Sequence, residues 1–147
     1  MKGNLSLGER RHGNLLNYYL HYKYIVMLTH IHPKLPMRNK QATREFYVGK
    51  LGFRVVGNRD YDGYLMVEKD HIELHFFEYN ELDPKENYGQ VYLRTNDIDK
   101  LYAWLLEHNV AIHPNGKLET KPWGQKEFAL LDPDNNLLTF GQSDLLP

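Results

Sequence analysis

The chain has 147 residues, a formal net charge of −1, 41% hydrophobic residues and no cysteine. This length and composition predict one soluble globular domain or two small fused repeats, and the near-neutral charge argues against a general nucleic-acid-binding protein. The lack of cysteine excludes disulfides, thiolate metal sites and a cysteine nucleophile, and it favours a cytoplasmic location.

The first 26 residues do not follow the pattern of the rest of the chain. They have no steady helical or strand period, and they show neither a signal-peptide pattern nor a stretch apolar enough to span a bilayer. We therefore interpret residues 1–26 as an N-terminal extension or leader of unknown status, and residues 27–147 as a single domain. The alternative is a short helix that packs on the domain or on a partner chain.

Residues 28–80 predict a first repeat made of one strand, one helix and three more strands. Pro33 and Pro36 suit a strand near a sheet edge, Asn39 can cap a helix, and Gly52 can end it. Turn dipeptides separate the last three strands. The predicted elements are a strand at 29–35, a helix at 41–50, and strands at 53–59, 64–69 and 71–78.

The last of these strands alternates between the two faces of a sheet. Ile72, Leu74 and Phe76 predict a face toward the core. The opposite face carries His71, Glu73, His75 and Phe77.

After a polar linker at 80–87, residues 88–142 predict a second repeat with the same plan. Asn96 or Asp97 can cap a helix with an apolar stripe, and residues 132–136 form a typical turn sequence. The predicted elements are a strand at 88–94, a helix at 97–108, a short strand at 110–113, a loop at 114–124, and strands at 126–131 and 137–141. The predicted fold class is therefore α+β, with two βαβββ repeats forming a curved mixed sheet and a cleft on the side that the helices leave open.

Three motifs carry a resemblance to a known family. They are FYVGKLGF at 46–53, DIDKLYAWL at 97–105 and PWGQKEFALLDPDNNLLTFGQ at 122–142. Together they resemble the glyoxalase/bleomycin resistance/dioxygenase (vicinal-oxygen-chelate) superfamily, over roughly residues 28–142. The last motif is the narrowest and is most similar to the bleomycin-resistance branch.

The enzymes of that superfamily hold a divalent metal, and the resemblance matches their four ligand positions to His32, Glu73, Gln90 and Thr139. Gln90 stands where the enzymes have histidine, and Thr139 where they have glutamate. A tight divalent site needs about three good protein donors, so we interpret these positions as vestigial and predict no metal, no cofactor and no catalytic residue. His75 shares the Glu73 face, which leaves a His/Glu/His arrangement geometrically open, although a half-buried histidine is more often structural.

The resemblance implies a homodimer that sequesters a bleomycin-type antibiotic without modifying it, with exchange of the first strand between subunits. Such a drug has a flat heteroaromatic part and a cationic tail, which call for aromatic faces and carboxylates. Residues 55–90 are acidic, with nine Asp/Glu and three Lys/Arg. The candidate ligand-binding residues are Trp123, Gly124, Phe53, Tyr47, Tyr61, Tyr64, Asp60, Asp62, Glu68 and Phe77, and for each a core or surface role is the alternative.

Two other functions stay open at this stage. One is a divalent-metal-dependent enzyme of the glyoxalase or dioxygenase type, which Gln90 and Thr139 disfavour. The other is a related binder of a different small aromatic molecule. We expect a small-molecule partner and a second copy of the chain, and neither nucleic acid nor a membrane.

Overall fold

The computed structural model describes residues 27–143, so the predicted extension at 1–26 lies outside the described residues. The chain divides into two units, residues 1–31 and residues 32–147. Within the first unit, the described residues 27–31 have no regular secondary structure and are exposed. Everything that follows concerns the second unit.

The first half of this unit forms a four-stranded sheet with one helical segment. Strand β1 is Lys34–Met37, helix α1 is Lys40–Arg44 and continues as a π-helical segment at Glu45–Lys50, and strands β2, β3 and β4 are Arg54–Val55, Tyr64–Lys69 and Ile72–Glu78. The strand order is β1-β4-β3-β2, with β1 parallel to β4 and the other pairs antiparallel. The side chain of Asn39 accepts a hydrogen bond from the backbone of Ala42, which confirms the predicted helix cap.

Two strand predictions in this half need correction. The first strand begins at Lys34 rather than 29, because pairing with β4 starts where the Pro33 carbonyl accepts from the His75 backbone N–H. The strand predicted at 53–59 shrinks to Arg54–Val55, which pair in register with β3, and the contact ends with a bond from the Val56 N–H to the Met66 carbonyl. The predicted helix at 41–50 is α-helical only to Arg44; beyond it the Leu51 N–H bonds to the carbonyl of Phe46, five residues back.

The second half repeats the same topology. Strand β5 is Gln90–Arg94, helix α2 is Ile98–Glu107, and strands β6, β7 and β8 are Glu119–Lys121, Gln125–Leu131 and Leu137–Ser143. Their order is β5-β8-β7-β6, again with one parallel and two antiparallel pairs. The α+β class with two βαβββ repeats is therefore confirmed, with the hydrogen bonding divided between two four-stranded sheets.

The predicted strand at 110–113 is wrong, and the predicted loop at 114–124 contains strand β6. Val110 is buried, so its apolar character serves core packing and not strand pairing. Ahead of β6, this segment makes two backbone hydrogen bonds with β7. The His113 N–H donates to the Ala129 carbonyl, and the Ala129 N–H donates to the Gly116 carbonyl. Regular pairing resumes at Glu119–Lys121, opposite the start of β7.

A buried polar network joins the turn between β7 and β8 to the first half. Tyr47 is fully buried, and its hydroxyl donates to Asp132 Oδ2 at 3.0 Å. Asn136 Nδ2 donates to the Pro36 carbonyl at 2.9 Å, and Arg38 donates to Asp134 at 2.6 Å. Burial raises the pKa of Asp132, and burial together with Asp132 raises the pKa of Tyr47 well above its usual value. The network fixes the relative position of the two repeats.

Candidate functional site

Each sheet buries one face and turns the other outward. In β3 and β4 the residues Leu65, Val67, Leu74 and Phe76 are buried, which confirms the predicted alternation. We call the opposite side the first outward face; it carries Tyr64, Glu68, Glu73, His75 and Phe77.

Two histidines and a glutamate meet on the first outward face. Glu73 Oε1 lies 2.7 Å from His75 Nε2 and 3.9 Å from His32 Nδ1. The two imidazole rings stack with centroids 5.2 Å apart, and Tyr64 Oη lies 2.7 Å from His75 Nδ1. The three side chains are partly exposed, and one potential metal-ligating atom from each lies within 4.8 Å of the others.

The second outward face, on the other sheet, carries a carboxylate with two aromatic donors. Glu127 is only 8% exposed, and its Oε1 accepts from the Tyr92 hydroxyl at 2.7 Å and from Trp123 Nε1 at 3.2 Å. Trp123 itself is 63% exposed and Tyr92 46% exposed. We call these three residues the Glu127 cluster. Burial and the bond to Glu127 raise the pKa of Tyr92, so its hydroxyl keeps its proton at neutral pH.

Gly141 makes the Tyr92–Glu127 contact sterically feasible. Strand β8 lies between β5 and β7, and Gly141 pairs with Arg94 on one side and Glu127 on the other. A Cβ at position 141 would stand 1.9 Å from Tyr92 Oη. The missing side chain therefore lets Tyr92 cross β8 to reach Glu127, while the Arg94 guanidinium lies 5.2 Å from the Tyr92 ring centroid.

The glyoxalase/bleomycin resistance protein/dioxygenase superfamily model matches residues 28–140. The chain belongs to this superfamily. Among its relatives is a bleomycin resistance protein of Klebsiella pneumoniae, 32% identical over 119 residues that cover 78% of this chain and 92% of that protein.

Two solved structures are also similar to this chain. A bleomycin-binding protein complexed with bleomycin is 30% identical, with a TM-score of 0.70 over 79% of this chain and 99% of that one. A bleomycin resistance determinant encoded on transposon Tn5 is 30% identical, with a TM-score of 0.71 over 80% and 100% of the two chains.

The four superfamily metal positions are divided between the two sheets. His32 and Glu73 lie together on the first outward face, but Gln90 and Thr139 belong to strands β5 and β8 of the other sheet. Neither of these two offers an imidazole or a carboxylate. Between residues 27 and 143, the histidine and carboxylate group close enough to hold an ion is His32, Glu73 and His75.

Two of the predicted ligand-binding residues lie in the core. Tyr47 is fully buried and holds Asp132, so the prediction that it contacts a ligand needs correction. Phe53 is 8% exposed and lines a cavity of about 130 Å³, together with Leu51, Ile72 and Leu105. Tyr47 lies within the helical segment of the first repeat and Phe53 follows that segment, and both rings belong to the apolar core.

Most of the predicted acidic residues already have a cationic neighbour within the chain. Lys40 donates to Asp60, and this bond lowers the pKa of Asp60. Arg54 pairs with Glu68 at 3.1 Å across β2 and β3. Asp62 is exposed and lies in the turn before β3. A cationic ligand would therefore compete with Lys40 and Arg54 at two of the three positions.

The predicted aromatic residues that remain are accessible. Tyr61 is 45% exposed and Phe77 37%, while Tyr64 contacts His75 on the first outward face. Gly124 closes a turn in which its N–H donates to the Lys121 carbonyl, and its φ is +74°. This positive φ favours glycine and explains why glycine stands at this position.

Tyr92 and Glu127 were missed by the sequence analysis. The alternation of QVYLR placed Tyr92 opposite the buried Val91 and Leu93, which was a usable signal. Nothing local linked Tyr92 to Glu127, 35 residues away. Within residues 27–143, no helix has the length and apolar character needed to cross a membrane.

Proposed function

We propose that this protein binds bleomycin-type glycopeptide antibiotics and withholds them from their target without modifying them. The observation that carries the proposal is the 30% identity and TM-score of 0.70 to a bleomycin-binding protein complexed with bleomycin. The 32% identity to a bleomycin resistance protein of Klebsiella pneumoniae supports it. The neutral residues at two superfamily metal positions, Gln90 and Thr139, favour binding over metal-dependent catalysis.

In this proposal the Glu127 cluster is the anchor for the drug. The exposed Trp123 ring offers a stacking face for a flat heteroaromatic group, which is worth about 0.5–1.5 kcal/mol beyond burial. The Glu127 carboxylate lies at the N–H edge of this ring and can face a cationic tail. The burial of Glu127 strengthens that electrostatic attraction relative to a fully solvated carboxylate.

The first outward face supplies the second set of contacts. Tyr61, Tyr64 and Phe77 offer aromatic surface, and Asp62 and Glu68 offer negative charge. Asp60 lies in the loop before β3, and Gly124, in the turn beside Trp123 on the other sheet, offers backbone groups alone. These roles rest on exposure and position in the fold.

We further propose that the protein acts as a cytoplasmic homodimer. Exposed aromatic residues such as Tyr88, at 89%, and Trp123, at 63%, are the kind of surface that a subunit or a ligand covers. A second copy can extend the groove to the length that a glycopeptide needs. Strand β1 is an edge strand and pairs here with β4 of its own chain, so exchange of β1 between subunits would replace one parallel pairing by an equivalent one.

The proposal is tested by calorimetric titration with bleomycin, with spermidine as a structurally unrelated cation. We expect saturable binding of one bleomycin per chain, weak binding of spermidine, and recovery of the drug with unchanged mass. Absence of bleomycin binding would point to another small aromatic ligand, and a changed drug mass would point to an enzyme. Light scattering after gel filtration gives the oligomeric state in the same samples.

A further inference from the structure

We propose that His32, Glu73 and His75 bind one divalent first-row transition-metal ion, with donors taken from the first repeat alone. The site goes beyond the proposed drug binding and does not depend on it. It also differs from the four-position superfamily site, since His75 matches none of those positions and Gln90 and Thr139 take no part.

The geometry of the three side chains is close to that of a metal site. Glu73 Oε1 is 2.7 Å from His75 Nε2 and 3.9 Å from His32 Nδ1. An ion bound at about 2.0–2.2 Å by each of three tetrahedral donors needs those donors roughly 3.2–3.6 Å apart. The distance from Glu73 to His75 therefore has to widen and the distance from Glu73 to His32 has to shorten. Each change is less than about 1 Å, which side-chain rotation can supply.

Tyr64 holds His75 in the orientation that metal binding requires. Its hydroxyl oxygen lies 2.7 Å from His75 Nδ1, on the ring edge away from Glu73. When Nε2 binds an ion, Nδ1 carries the proton and donates it in a hydrogen bond to Tyr64. A partner of this kind on the second ring nitrogen is the usual support of a metal-binding histidine.

The chemistry of the donors selects the class of ion. Two imidazoles and a carboxylate suit Zn²⁺, Ni²⁺ or Cu²⁺ better than Mg²⁺ or Ca²⁺, which prefer oxygen ligands. The side chains of His32, Glu73 and His75 are 34%, 27% and 18% exposed, so an ion can enter from solvent and water can complete its coordination. The neighbouring Lys34 directs its ammonium group over the Tyr64 ring, 5.4 Å from the centroid.

A bound ion would tie the start of the edge strand to the middle of the sheet. His32 precedes β1, whereas Glu73 and His75 belong to β4. Ligation would therefore hold β1 against β4 and raise the melting temperature, by an amount that grows with the logarithm of the ion concentration once this exceeds the dissociation constant.

The test uses the untagged full chain, freed of metal and without drug, because bleomycin is itself a chelator. Titration with Co²⁺ is followed by visible absorption, titration with Zn²⁺ by calorimetry, and the melting temperature is measured with and without Zn²⁺. We expect about one ion per chain. Loss of a residue that hydrogen-bonds to a metal ligand typically lowers metal affinity by about 10–100-fold. Loss of a ligand itself should cost more, so His75→Gln should weaken Co²⁺ binding by at least about 100-fold.

His71→Gln is the matched control, since His71 lies on the same hairpin but outside the cluster. It should change the affinity by less than about threefold, a difference typical of exposed surface substitutions. Glu73→Gln serves as a second ligand variant should His75→Gln fail to fold. An absence of Co²⁺ binding, or equal losses for the His71 and His75 variants, would overturn the proposal. Metal binding that persists in a protein unable to bind bleomycin would refute only the proposed function.

Discussion

The indole N–H of Trp123 donates a 3.2 Å hydrogen bond to Glu127, although 63% of Trp123 is exposed to solvent. An exposed tryptophan is ordinarily free to change rotamer, and ordering it on ligand binding costs free energy. The bond to a buried carboxylate restrains the ring before a ligand arrives. Trp123 and Glu127 therefore act as a unit, and the first predictions concern them.

Trp123→Ala should weaken bleomycin binding by about 1–3 kcal/mol, the loss typical of a central aromatic anchor. Trp123→Phe should recover part of this loss, since it keeps a stacking face but not the bond to Glu127. Calorimetric titration measures both. Leu106→Ala, which truncates an apolar residue 50% exposed on α2, should leave the affinity unchanged. An unchanged affinity for Trp123→Ala would remove this residue from the site.

Glu127→Gln should weaken bleomycin binding by about 1–2 kcal/mol and reduce its dependence on salt. The substitution removes the charge but keeps an oxygen that can accept from Tyr92 and Trp123, so the fold should be retained. Glu119→Gln makes the same charge change on β6, where Glu119 pairs with Lys121 and is 59% exposed. Equal effects of the two substitutions would show that only the overall charge matters.

Gly141→Ala should lower the free energy of unfolding by about 1–3 kcal/mol, as overpacking does. The added Cβ would stand 1.9 Å from Tyr92 Oη and would force the tyrosine away from Glu127. Urea unfolding measures the loss. Combination with Tyr92→Ala should remove the clash and make the two effects non-additive. Gly49→Ala, where no atom lies within 4 Å of the added Cβ, should be neutral.

Tyr47→Phe should destabilise the fold in a pH-dependent way. The Tyr47 hydroxyl favours the ionised form of Asp132, which burial otherwise disfavours. The pKa of Asp132 is raised in the folded protein, so Asp132 contributes stability when it is protonated. This contribution is fully present below its usual pKa of 3.8 and is lost as pH rises through the raised pKa. The tyrosine offsets part of that loss.

The cost of Tyr47→Phe should therefore be about 1–2 kcal/mol at pH 7 and should shrink as Asp132 becomes protonated in acid. Urea unfolding between pH 3 and pH 7 measures it. Tyr102→Phe is the control, since Tyr102 packs on Phe128 by ring contact. A cost for Tyr47→Phe that stays constant over this pH range would show that the hydroxyl does not act through Asp132.

Local patterns in the sequence were enough to predict the elements whose residues pack in a regular period. Strand β3 occupies the predicted residues 64–69, and helix α2 begins after Asp97, one of its two predicted caps. The predictions at 29–35 and 110–113 failed because extended, partly apolar segments became strands only where a neighbouring strand was present to pair with them. Val110 is apolar and packs in the core instead of pairing in a strand.

The sequence by itself determined the repeat plan, the superfamily and the replacement of two metal positions, because periodicity, turn residues and motif identity are local properties. Only the tertiary structure decided that Tyr47 is a core residue, that Tyr92 crosses Gly141 to reach Glu127, and that His32 lies beside Glu73 and His75. These contacts join residues that lie far apart in the sequence. Their formation depends on strand register and on the space left by a missing side chain, and both arise when the sheets assemble.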